Sequence, residues 1–379
     1  MRQKEKSLKI LIAAGGTGGH LFPAQALALD LIDRKKELEI VFASPRLKTN
    51  FYFNKEWFPF YEISAATPFK KNMIQGIKSL GTLMRGIFQS WKLLTQLKPS
   101  LVIGFGSFHS FPILIAAKIK GIPIILFESN TVPGRVNRFC SRFAEISAVH
   151  FLKAAQKLKG RVACVRTPLL KRNTGIDSAT AHEYFHLDSH RLTFLVFGGS
   201  QGSQAINQFF CESLEMLLQK GISFQVIHIV GSTERAAKLR EIYSYYAIPA
   251  AVKSFEQRMD LAWSAADLMI SRAGAVTLAE QIEFGVPGIL IPYPFGMDNH
   301  QKHNASFVAS EIGGGIALSE KELSAESLTA AIDDLLKSSQ AKLKIMKQAL
   351  QEYKMREETR DLYALILDFL AKKNAKYLI

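Results

Sequence analysis

The sequence predicts an α/β protein with two Rossmann-like domains, each a doubly wound parallel sheet, that face each other across a cleft. Short apolar runs alternate with helical patterns, which is typical of parallel strands covered on both faces. This series starts twice, at Leu8 and again at Leu192, and each first strand runs into a glycine-rich loop. The 379 residues also exceed one ordinary core and suggest two domains of roughly 150 to 190 residues each.

The first domain is predicted to span residues 1–168. Helical patterns separate its buried apolar runs, as expected for strand–helix–strand units. Its strands are expected at residues 8–14, 38–43, 101–104 and 123–127, and its helices at 23–31, 70–98 and 112–120.

A change of pattern marks the predicted domain boundary. After Pro168 the chain becomes polar and loses its hydrophobic period until Leu192, which indicates a linker over residues 169–191. The second domain is predicted over 192–350, and the charged helical segment 351–379 is expected to pack back on the first domain. The second domain's strands are expected at 192–197, 224–230, 250–252, 268–270 and 288–292, with a helix at 205–218.

The composition favours an anionic partner. The formal net charge is +15 and the pI is near 9.6, which suits nucleic acid, phosphorylated small molecules or an acidic membrane surface. Three cysteines without a Cys-x-x-Cys pair favour neither a disulfide framework nor a structural zinc site, and fit a reducing cytosol. No segment reaches the roughly 18 uninterrupted apolar residues of a membrane span, so any membrane contact is expected to be peripheral.

The first glycine loop, Gly-Gly-Thr-Gly-Gly-His at residues 15–20, is a candidate phosphate site. It joins a predicted strand to a predicted helix, so its backbone N–H groups and the positive end of the helix are available to an anion. His20 is expected to face whatever binds there. The loop alone is equally consistent with a tight strand-to-helix turn that carries a capping histidine.

The second half repeats this arrangement with residues 198–203, Gly-Gly-Ser-Gln-Gly-Ser. Arg272 follows a later strand and opens a helix, which again suits a phosphate. Glu280, farther along that helix, is suited to a hydroxyl pair such as a ribose, although a surface helix charge is the alternative. The polar loop 298–304 can bind sugar hydroxyls, and its two histidines lack a third metal ligand.

In the first domain, Glu128, Ser129 and Asn130 follow a buried strand, where open α/β sheets place ligand contacts. Helix capping by Ser129 or Asn130 is the alternative for these residues.

The segment 70–98 combines a basic stripe with bulky apolar residues. It contains six basic residues and no acidic one. On a helix this arrangement is typical of an interfacial membrane contact, whereas a core-packed helix with a solvated charged face is the alternative. The predicted membrane contacts are Lys71, Lys78, Arg85, Trp91 and Lys92.

Together, the two glycine loops, Arg-Ala-Gly-Ala at 272–275 with Thr277 and Glu280, and His300-Gln301 before Asn304-Ala305 resemble the MurG family of peptidoglycan glycosyltransferases, part of glycosyltransferase family 28. Residues 104–108, 128–130, 133–134 and 137–138 match the family's first domain as well, so the resemblance covers nearly the whole chain. It implies the GT-B fold and a hexosyltransferase that serves peptidoglycan synthesis, cell-wall biogenesis, cell shape and cell division.

The implied reaction is transfer of GlcNAc from UDP-GlcNAc to the C4 hydroxyl of MurNAc in undecaprenyl-diphospho-MurNAc-pentapeptide (lipid I), with inversion, giving lipid II. His20 is the implied catalytic base. The residues implied for the acceptor diphosphate are Gly15, Gly16, Gly104, Gly106 and Ser107. The residues implied for UDP-GlcNAc are Thr17, Gly18, Gly19, Asn130, Ser200, Gln201, Arg272, Gly274, Thr277, Glu280 and Gln301.

No cofactor and no metal are implied, because helix N-termini can stabilise the leaving diphosphate. No Asp-x-Asp pair is present in the predicted cleft loops, which disfavours the metal-dependent alternative fold.

The chain departs from the family pattern at three places. Residues 166–170 are Arg-Thr-Pro-Leu-Leu where the family has Gly-Asn-Pro-x-Arg, so the arginine that lines the nucleotide site is missing and Lys171 and Arg172 are candidates to replace it. Residue 129 is serine rather than glutamine, and 64–68 read Ser-Ala-Ala-Thr-Pro rather than containing Ser-Gly-Leu-Arg. These departures concern donor binding more than the reaction.

The expected partners are UDP-GlcNAc, lipid I and the anionic cytoplasmic face of the inner membrane, with other cell-wall synthesis enzymes as further candidates. No nucleic-acid partner is expected, since no motif that reads RNA or DNA is visible. The alternatives are a GT-B enzyme for another lipid such as diacylglycerol, a UDP-GlcNAc 2-epimerase, and a non-catalytic protein that binds a nucleotide sugar or nucleic acid. A dehydrogenase is disfavoured, because residues 15–19 are not Gly-x-Gly-x-x-Gly.

Overall fold

The structure is a computed structural model that describes residues 8–67, 73–170, 175–199, 202–356 and 360–375. These residues form two units: the first contains the described residues up to 170 together with 360–375, and the second contains 175–356. Each unit is a parallel sheet flanked by helices, so the predicted pair of parallel-sheet α/β domains is confirmed.

The strands of the described chain are β1 (Lys9–Ala13), β2 (Glu39–Ser44), β3 (Phe60–Glu62), β4 (Leu101–Gly104), β5 (Ile124–Glu128), β6 (Ile146–Val149), β7 (Val162–Arg166), β8 (Leu192–Phe197), β9 (Phe224–Ile229), β10 (Ala250–Lys253), β11 (Leu268–Ser271), β12 (Gly288–Leu290), β13 (Gly315–Ala317) and β14 (Arg360–Asp361). Its α-helices are α1 (Gly18–Arg34), α2 (Met73–Leu97), α3 (Ser107–Ile119), α4 (Arg135–Cys140), α5 (Ser178–Phe185), α6 (Gln204–Gln219), α7 (Thr233–Tyr245), α8 (Met259–Ala265), α9 (Ala275–Phe284), α10 (His300–Ser306), α11 (Ala325–Lys354) and α12 (Leu362–Ala375). Short 3-10 helices cover Leu47–Thr49, Leu152–Lys157 and Met297–Asn299, and a π-helical segment covers Phe307–Ile312.

The described strands of the first unit are ordered β14-β7-β6-β5-β4-β1-β2-β3, and every pair is parallel. The strand order reverses between β1 and β4, since β2 and β3 continue on one side and β5 to β7 on the other. Ligands of open α/β sheets bind beyond the carboxyl ends of the strands at such a reversal. The loops that follow β1 and β4 therefore lie at the expected place for a ligand.

The described strands of the second unit are ordered β10-β9-β8-β11-β12-β13, again all parallel. Here the order reverses between β8 and β11. The glycine loop after β8 and the Arg272 loop after β11 follow these two strands, so each unit carries its predicted site loops at its own reversal point.

Alternation along the central strand builds the core of the first unit on both faces of the sheet. Ile10 and Ile12 of β1 pack with residues of α1, such as Leu27. Leu11 and Ala13 point to the opposite face and pack with residues of α3. Because both faces are covered, β1 is apolar from Ile10 to Ala13 rather than alternating with polar residues.

Two glycine-loop helices begin earlier than the sequence predicts. α1 begins at Gly18 and α3 at Ser107, whereas the predicted starts were Pro23 and Pro112. Proline is common at the first position of a helix, and this preference misplaced both starts. In the structure each proline is the sixth residue of its helix.

The segment predicted as a linker, 169–191, contains α5. Asp177 caps this helix by accepting a hydrogen bond from the backbone N–H of Thr180 at 3.4 Å. Ala181, His182 and Phe185 are buried. Only these three residues face inward, which explains why no hydrophobic period is visible in the sequence.

The C-terminal helix α12 packs in the first unit. Leu365 and Ile366 are fully buried in the same core as β1, and Arg34 of α1 lies 3.8 Å from the ring centroid of Tyr363. The helix before it, α11, continues four residues beyond the predicted limit of the second domain at 350.

Candidate active site

His20 lies against the first glycine loop. A Cβ atom at Gly15 would overlap the imidazole of His20 and would lie 2.8 Å from the Cβ of Ser107. The absence of a side chain at Gly15 therefore lets the loop after β1, the first turn of α1 and the loop after β4 meet at one point. This brings together three of the residues that the family resemblance implies for the acceptor, Gly15, His20 and Ser107.

The start of α1 is open to an anion. Thr17 is the exposed N-cap residue, and its side chain makes no capping hydrogen bond. Its carbonyl accepts the N–H groups of His20 and Leu21, both at 3.0 Å. Gly18 and Gly19 occupy the first turn, where backbone N–H groups have no partner within the helix. This end of α1 can bind a phosphate.

Gly16 is placed differently from its implied role. Its N–H donates to the Nδ1 atom of His109 at 3.0 Å, and its carbonyl accepts from the Nδ2 atom of Asn50 at 2.8 Å. The Gly16 N–H is therefore directed at a side chain and not at an anion. Sequence reasoning singled out neither His109 nor Asn50, since each is far from Gly16 along the chain.

The loop after β4 has an unusual backbone. Gly106 and Ser107 both have left-handed φ angles, 73° and 66°, and for a residue with a side chain this conformation is uncommon. Gly104 serves packing, because a Cβ there would lie 2.9 Å from a methyl group of Leu114.

A buried carboxylate organises the loop after β5. Glu128 accepts hydrogen bonds from the backbone N–H and side-chain Nδ2 of Asn130, both at 3.0 Å. It also accepts from the N–H of Gly134 at 2.9 Å and from Nδ2 of Asn137 at 3.0 Å. Gly134 is the N-cap residue of α4, so Glu128 binds the backbone N–H of the residue that precedes this helix. Asn130 is held at the carboxyl edge of the sheet by this contact.

In the second unit, glycines shape the loop after β8. Gly199 and Gly202 have φ angles of 78° and 71°, and the Gly202 N–H donates to the Gly199 carbonyl at 3.0 Å. Ser203 caps α6 by accepting from the N–H of Ile206 at 3.3 Å. Ser200 and Gln201, both implied for UDP-GlcNAc, lie outside the described residues.

The guanidinium of Arg272 is directed into the second unit. It forms an ion pair with Glu320 and donates to the carbonyls of Ile291 and Pro292 at 3.3 and 3.4 Å. It also lies 5.5 Å from the ring centroid of Tyr293. These contacts hold the loop after β12 and differ from the phosphate contact expected of Arg272.

The remaining donor residues of the second unit surround the start of α9. Gly274 is its N-cap residue, and the buried Thr277 lies in its first turn. Gln301 accepts the N–H of Tyr293 at 2.9 Å, and Asn304 donates to the carbonyl of Ala273 at 3.3 Å. Most of the segment predicted as a polar loop, 298–304, thus belongs to α10, and this helix supports the loops on which ligand contacts were predicted.

Glu280 has an unusual protonation equilibrium. Burial raises the pKa of Glu280 to about 7, and the neighbouring indole N–H of Trp263 lowers it. The Trp263 Nε1 atom is buried and makes no well-aligned hydrogen bond. Its ring stacks on Phe284 at 6.3 Å and meets Phe197 edge-on at 5.7 Å. Glu280 thus lies beside an aromatic cluster that begins at the end of β8.

We expect the affinity for UDP-GlcNAc to rise as the pH rises through about 7. The ionised carboxylate of Glu280 can accept one hydrogen bond on each oxygen from a pair of hydroxyls, whereas protonation turns one of the two oxygens into a donor. The Glu280→Gln variant should bind about tenfold more weakly above that pH and lose the pH dependence. Calorimetric Kd values below and above the Glu280 pKa measure both effects, and a wild-type Kd without pH dependence would contradict the assignment.

In the Trp263→Phe variant, the affinity for UDP-GlcNAc should depend on pH in the same way but with its midpoint at a higher pH. Phenylalanine keeps the stacking on Phe284 but removes the N–H that lowers the pKa of Glu280. The midpoint of the Kd-against-pH curve should therefore move to higher pH. The matched control is Trp263→Phe in the Glu280→Gln background, where no midpoint should remain to be shifted.

Within the part of the chain that the structure describes, no group of three or more His, Cys, Asp or Glu side chains is arranged to hold a metal ion. Metal independence stays a prediction.

Comparisons with known proteins match both units. Residues 10–149 match the glycosyltransferase family 28 N-terminal domain, and residues 193–361 match the glycosyltransferase family 28 C-terminal domain. A UDP-N-acetylglucosamine–N-acetylmuramyl-(pentapeptide) pyrophosphoryl-undecaprenol N-acetylglucosamine transferase of Protochlamydia amoebophila is 42% identical over 364 residues, covering 96% of each chain. The transferase of the same name from Chlamydia pneumoniae is 34% identical and covers 97% of this chain and 99% of its own.

A crystal structure of Acinetobacter baumannii MurG superposes with a TM-score of 0.75 at 24% identity, over 97% of this chain and all of that one. This likeness supports the GT-B fold.

Proposed function

Because the chain belongs to glycosyltransferase family 28, we propose that it transfers GlcNAc from UDP-GlcNAc to the C4 hydroxyl of MurNAc in lipid I, with inversion, and so makes lipid II for peptidoglycan synthesis. The observation that carries this proposal is the 42% identity, over 96% of both chains, with a transferase whose name states this donor and acceptor. The family and enzyme class predicted from the motifs are confirmed by the same comparisons.

His20 is the proposed general base. The C4 oxygen of MurNAc attacks the anomeric carbon of GlcNAc while the bond from that carbon to UDP breaks, and the C4 proton passes to His20. The contact of the His20 ring with Gly15 supports this role, because it places the imidazole beside the open start of α1. On this proposal Thr17, Gly18 and Gly19 bind phosphate through the helix N-terminus.

Glu280 is the proposed ligand of the ribose, and Gln301 and Asn130 are the proposed contacts of the GlcNAc ring. The leaving UDP requires N–H dipoles or positive charge near its phosphates. The start of α6, with Ser203 as its cap and Ser200 and Gln201 before it, is the proposed source of those dipoles. Arg272 contributes by holding the loop after β12, as its contacts with Ile291 and Pro292 suggest.

We further propose that α2 binds the cytoplasmic face of the membrane. This helix buries Leu83, Leu93 and Leu94 together with Ser79 and Ser90, and it exposes a second set of large apolar residues. Ile77, Met84 and Phe88 are 66%, 60% and 56% exposed. A patch of this kind on the surface of a protein is typical of an interaction site. Not every bulky apolar residue of the segment is exposed, since Leu94 is buried in the core and Ile87 is half-buried.

Basic residues surround this apolar face, which favours an anionic bilayer as its occupant. Lys78, Arg85 and Lys92 are exposed, with Lys92 Nζ lying 4.6 Å from the ring centroid of Phe88. Lys120 of the neighbouring segment lies 5.0 Å from the exposed ring of Trp91. Lys71 lies outside the described residues. Among the described helices, none is both long and apolar enough to span a bilayer, so the proposed contact is peripheral.

The test is an assay of the purified protein with UDP-GlcNAc and different acceptors. Lipid II formation with lipid I, without product from diacylglycerol, is the expected result. Product from diacylglycerol would favour the alternative lipid acceptor, and UDP release without any acceptor would favour an epimerase. Binding of UDP-GlcNAc without turnover on any acceptor would favour a non-catalytic binding protein. Adding EDTA should leave the rate unchanged, because no metal is proposed to take part.

A further inference from the structure

Two side chains bind the backbone of Gly16, one from the first turn of α3 and one from the segment that follows β2. Its N–H donates to Nδ1 of His109, a residue 93 positions later in the chain. Its carbonyl accepts from Asn50, which follows β2. A Cβ at Gly16 would lie 3.2 Å from both Nδ1 and Cε1 of His109, so the imidazole is packed directly on this residue. If hydrogen bonds within its own turn were enough to stabilise the glycine loop, neither the contact with His109 nor the contact with Asn50 would be needed.

The hydrogen bond defines the state of the His109 ring. A ring nitrogen that accepts an N–H carries no proton, so His109 is neutral with its proton on Nε2. Burial and the charge of Arg46 both lower the pKa of His109, which favours this neutral form. Arg46 belongs to the loop after β2, and His20 on α1 is the other titratable group of this cluster. The bond to Gly16 is therefore maintained at neutral pH.

The two hydrogen bonds to Gly16 act next to Gly15, the residue against which the His20 ring packs. Gly15, which precedes Gly16, contacts both the His20 imidazole and Ser107. Ser107 lies two residues before His109 and has the left-handed backbone described above. Rotation of the Gly16 peptide would move Gly15 and so displace the surface against which the His20 ring packs.

We propose that His109 is a positioning residue for the transfer reaction: its Nδ1 atom fixes the Gly16 peptide and thereby the placement of the His20 imidazole. This inference rests on the proposed function, because it assumes that His20 acts as the base.

The test compares His109→Phe with His109→Asn. Phenylalanine keeps a planar ring and removes the acceptor, whereas the Oδ1 atom of asparagine restores an acceptor near the position of Nδ1. We expect kcat with lipid I to fall about 100-fold in His109→Phe, because small misplacement of a catalytic group costs this much. The KM for UDP-GlcNAc should stay near the wild-type value. His109→Asn should recover most of the lost kcat.

The pH profile separates positioning from general damage. Protonation of Nδ1 of His109 would end its bond to Gly16, so kcat of the wild type should fall in acid. In His109→Asn the amide does not titrate, so the acidic limb of kcat should be less steep than in the wild type. His190→Phe, at an exposed histidine in the second unit, is the matched control and should leave kcat and its pH profile unchanged.

The outcomes distinguish the two proposals. A wild-type protein that makes no lipid II would overturn the proposed function. A fully active wild type with an equally active His109→Phe variant would overturn only the role of His109. Equal losses of kcat in both variants, with the melting temperature lowered alike, would also overturn it, since they indicate a structural role alone.

Discussion

Replacing His20 by alanine is expected to lower kcat by about 10³-fold, within the range of 10²–10⁴ that a positioned general base contributes. Without the imidazole, the C4 hydroxyl of the acceptor must lose its proton to water. UDP binding should change little, because the Glu280 and α6 contacts proposed for the nucleotide belong to the second unit. Lipid II formation measures the first effect, and calorimetry with UDP measures the second.

The matched control for His20→Ala is His190→Ala, which removes an exposed imidazole from the second unit. It should leave both kcat and UDP affinity at their wild-type values. A His20→Ala variant with normal turnover would exclude His20 as the base. Loss of UDP affinity together with turnover would instead place His20 in the donor site.

The second large effect is expected from Lys71, Lys78, Arg85 and Lys92, all changed to glutamine. Their removal should weaken binding to phosphatidylglycerol vesicles by about 10³-fold, since each Lys or Arg near an anionic surface contributes ~1 kcal/mol. Binding to uncharged phosphatidylcholine vesicles should change little, because the apolar face of α2 is retained. Vesicle sedimentation over a range of lipid concentrations measures both.

A control with the same change in net charge is available on α11. Lys337, Lys342, Lys344 and Lys347 are exposed residues of the second unit, and changing them to glutamine should leave vesicle binding unaltered. Equal weakening in both quadruple variants would indicate a general effect of net charge. Unchanged sedimentation of the α2 variant would refute the membrane contact.

The sheets could be predicted because the signal for a buried parallel strand is local. Residues 10–13 and 194–197 are apolar throughout, and the burial of β1 and β8 on both faces requires this. The helix starts at Gly18 and Ser107 were missed because glycine and serine have weak helix propensity, while the nearby prolines suggested later starts. Helix α5 was missed because its buried face is only three residues wide.

The candidate site was predictable only in part. Glycine loops that follow strands are visible in the sequence, and the structure places them at the strand-order reversals of the two sheets, where ligands of such sheets bind. The partners of individual groups were not, because they depend on contacts between distant parts of the chain. The bond from Gly16 to His109 and the ion pair from Arg272 to Glu320 are of this kind. A local motif indicates which residues lie near a ligand. It does not indicate the direction of their polar groups, because tertiary contacts determine that direction.

In helix α2, solubility and stability depend on different residues, although the two properties are usually linked in a globular protein. Ile77 and Phe88 contribute little to the folded core because they are exposed. The packed face is formed by Leu83, Leu93 and Leu94 together with the small residues Gly86 and Ser90. Solubility in the absence of detergent and stability against unfolding are therefore controlled by different residues of the same helix. Polar replacements on the outer face would change colloidal behaviour without removing core contacts, whereas enlarging Gly86 would drive a side chain into the carbonyl of Ser64.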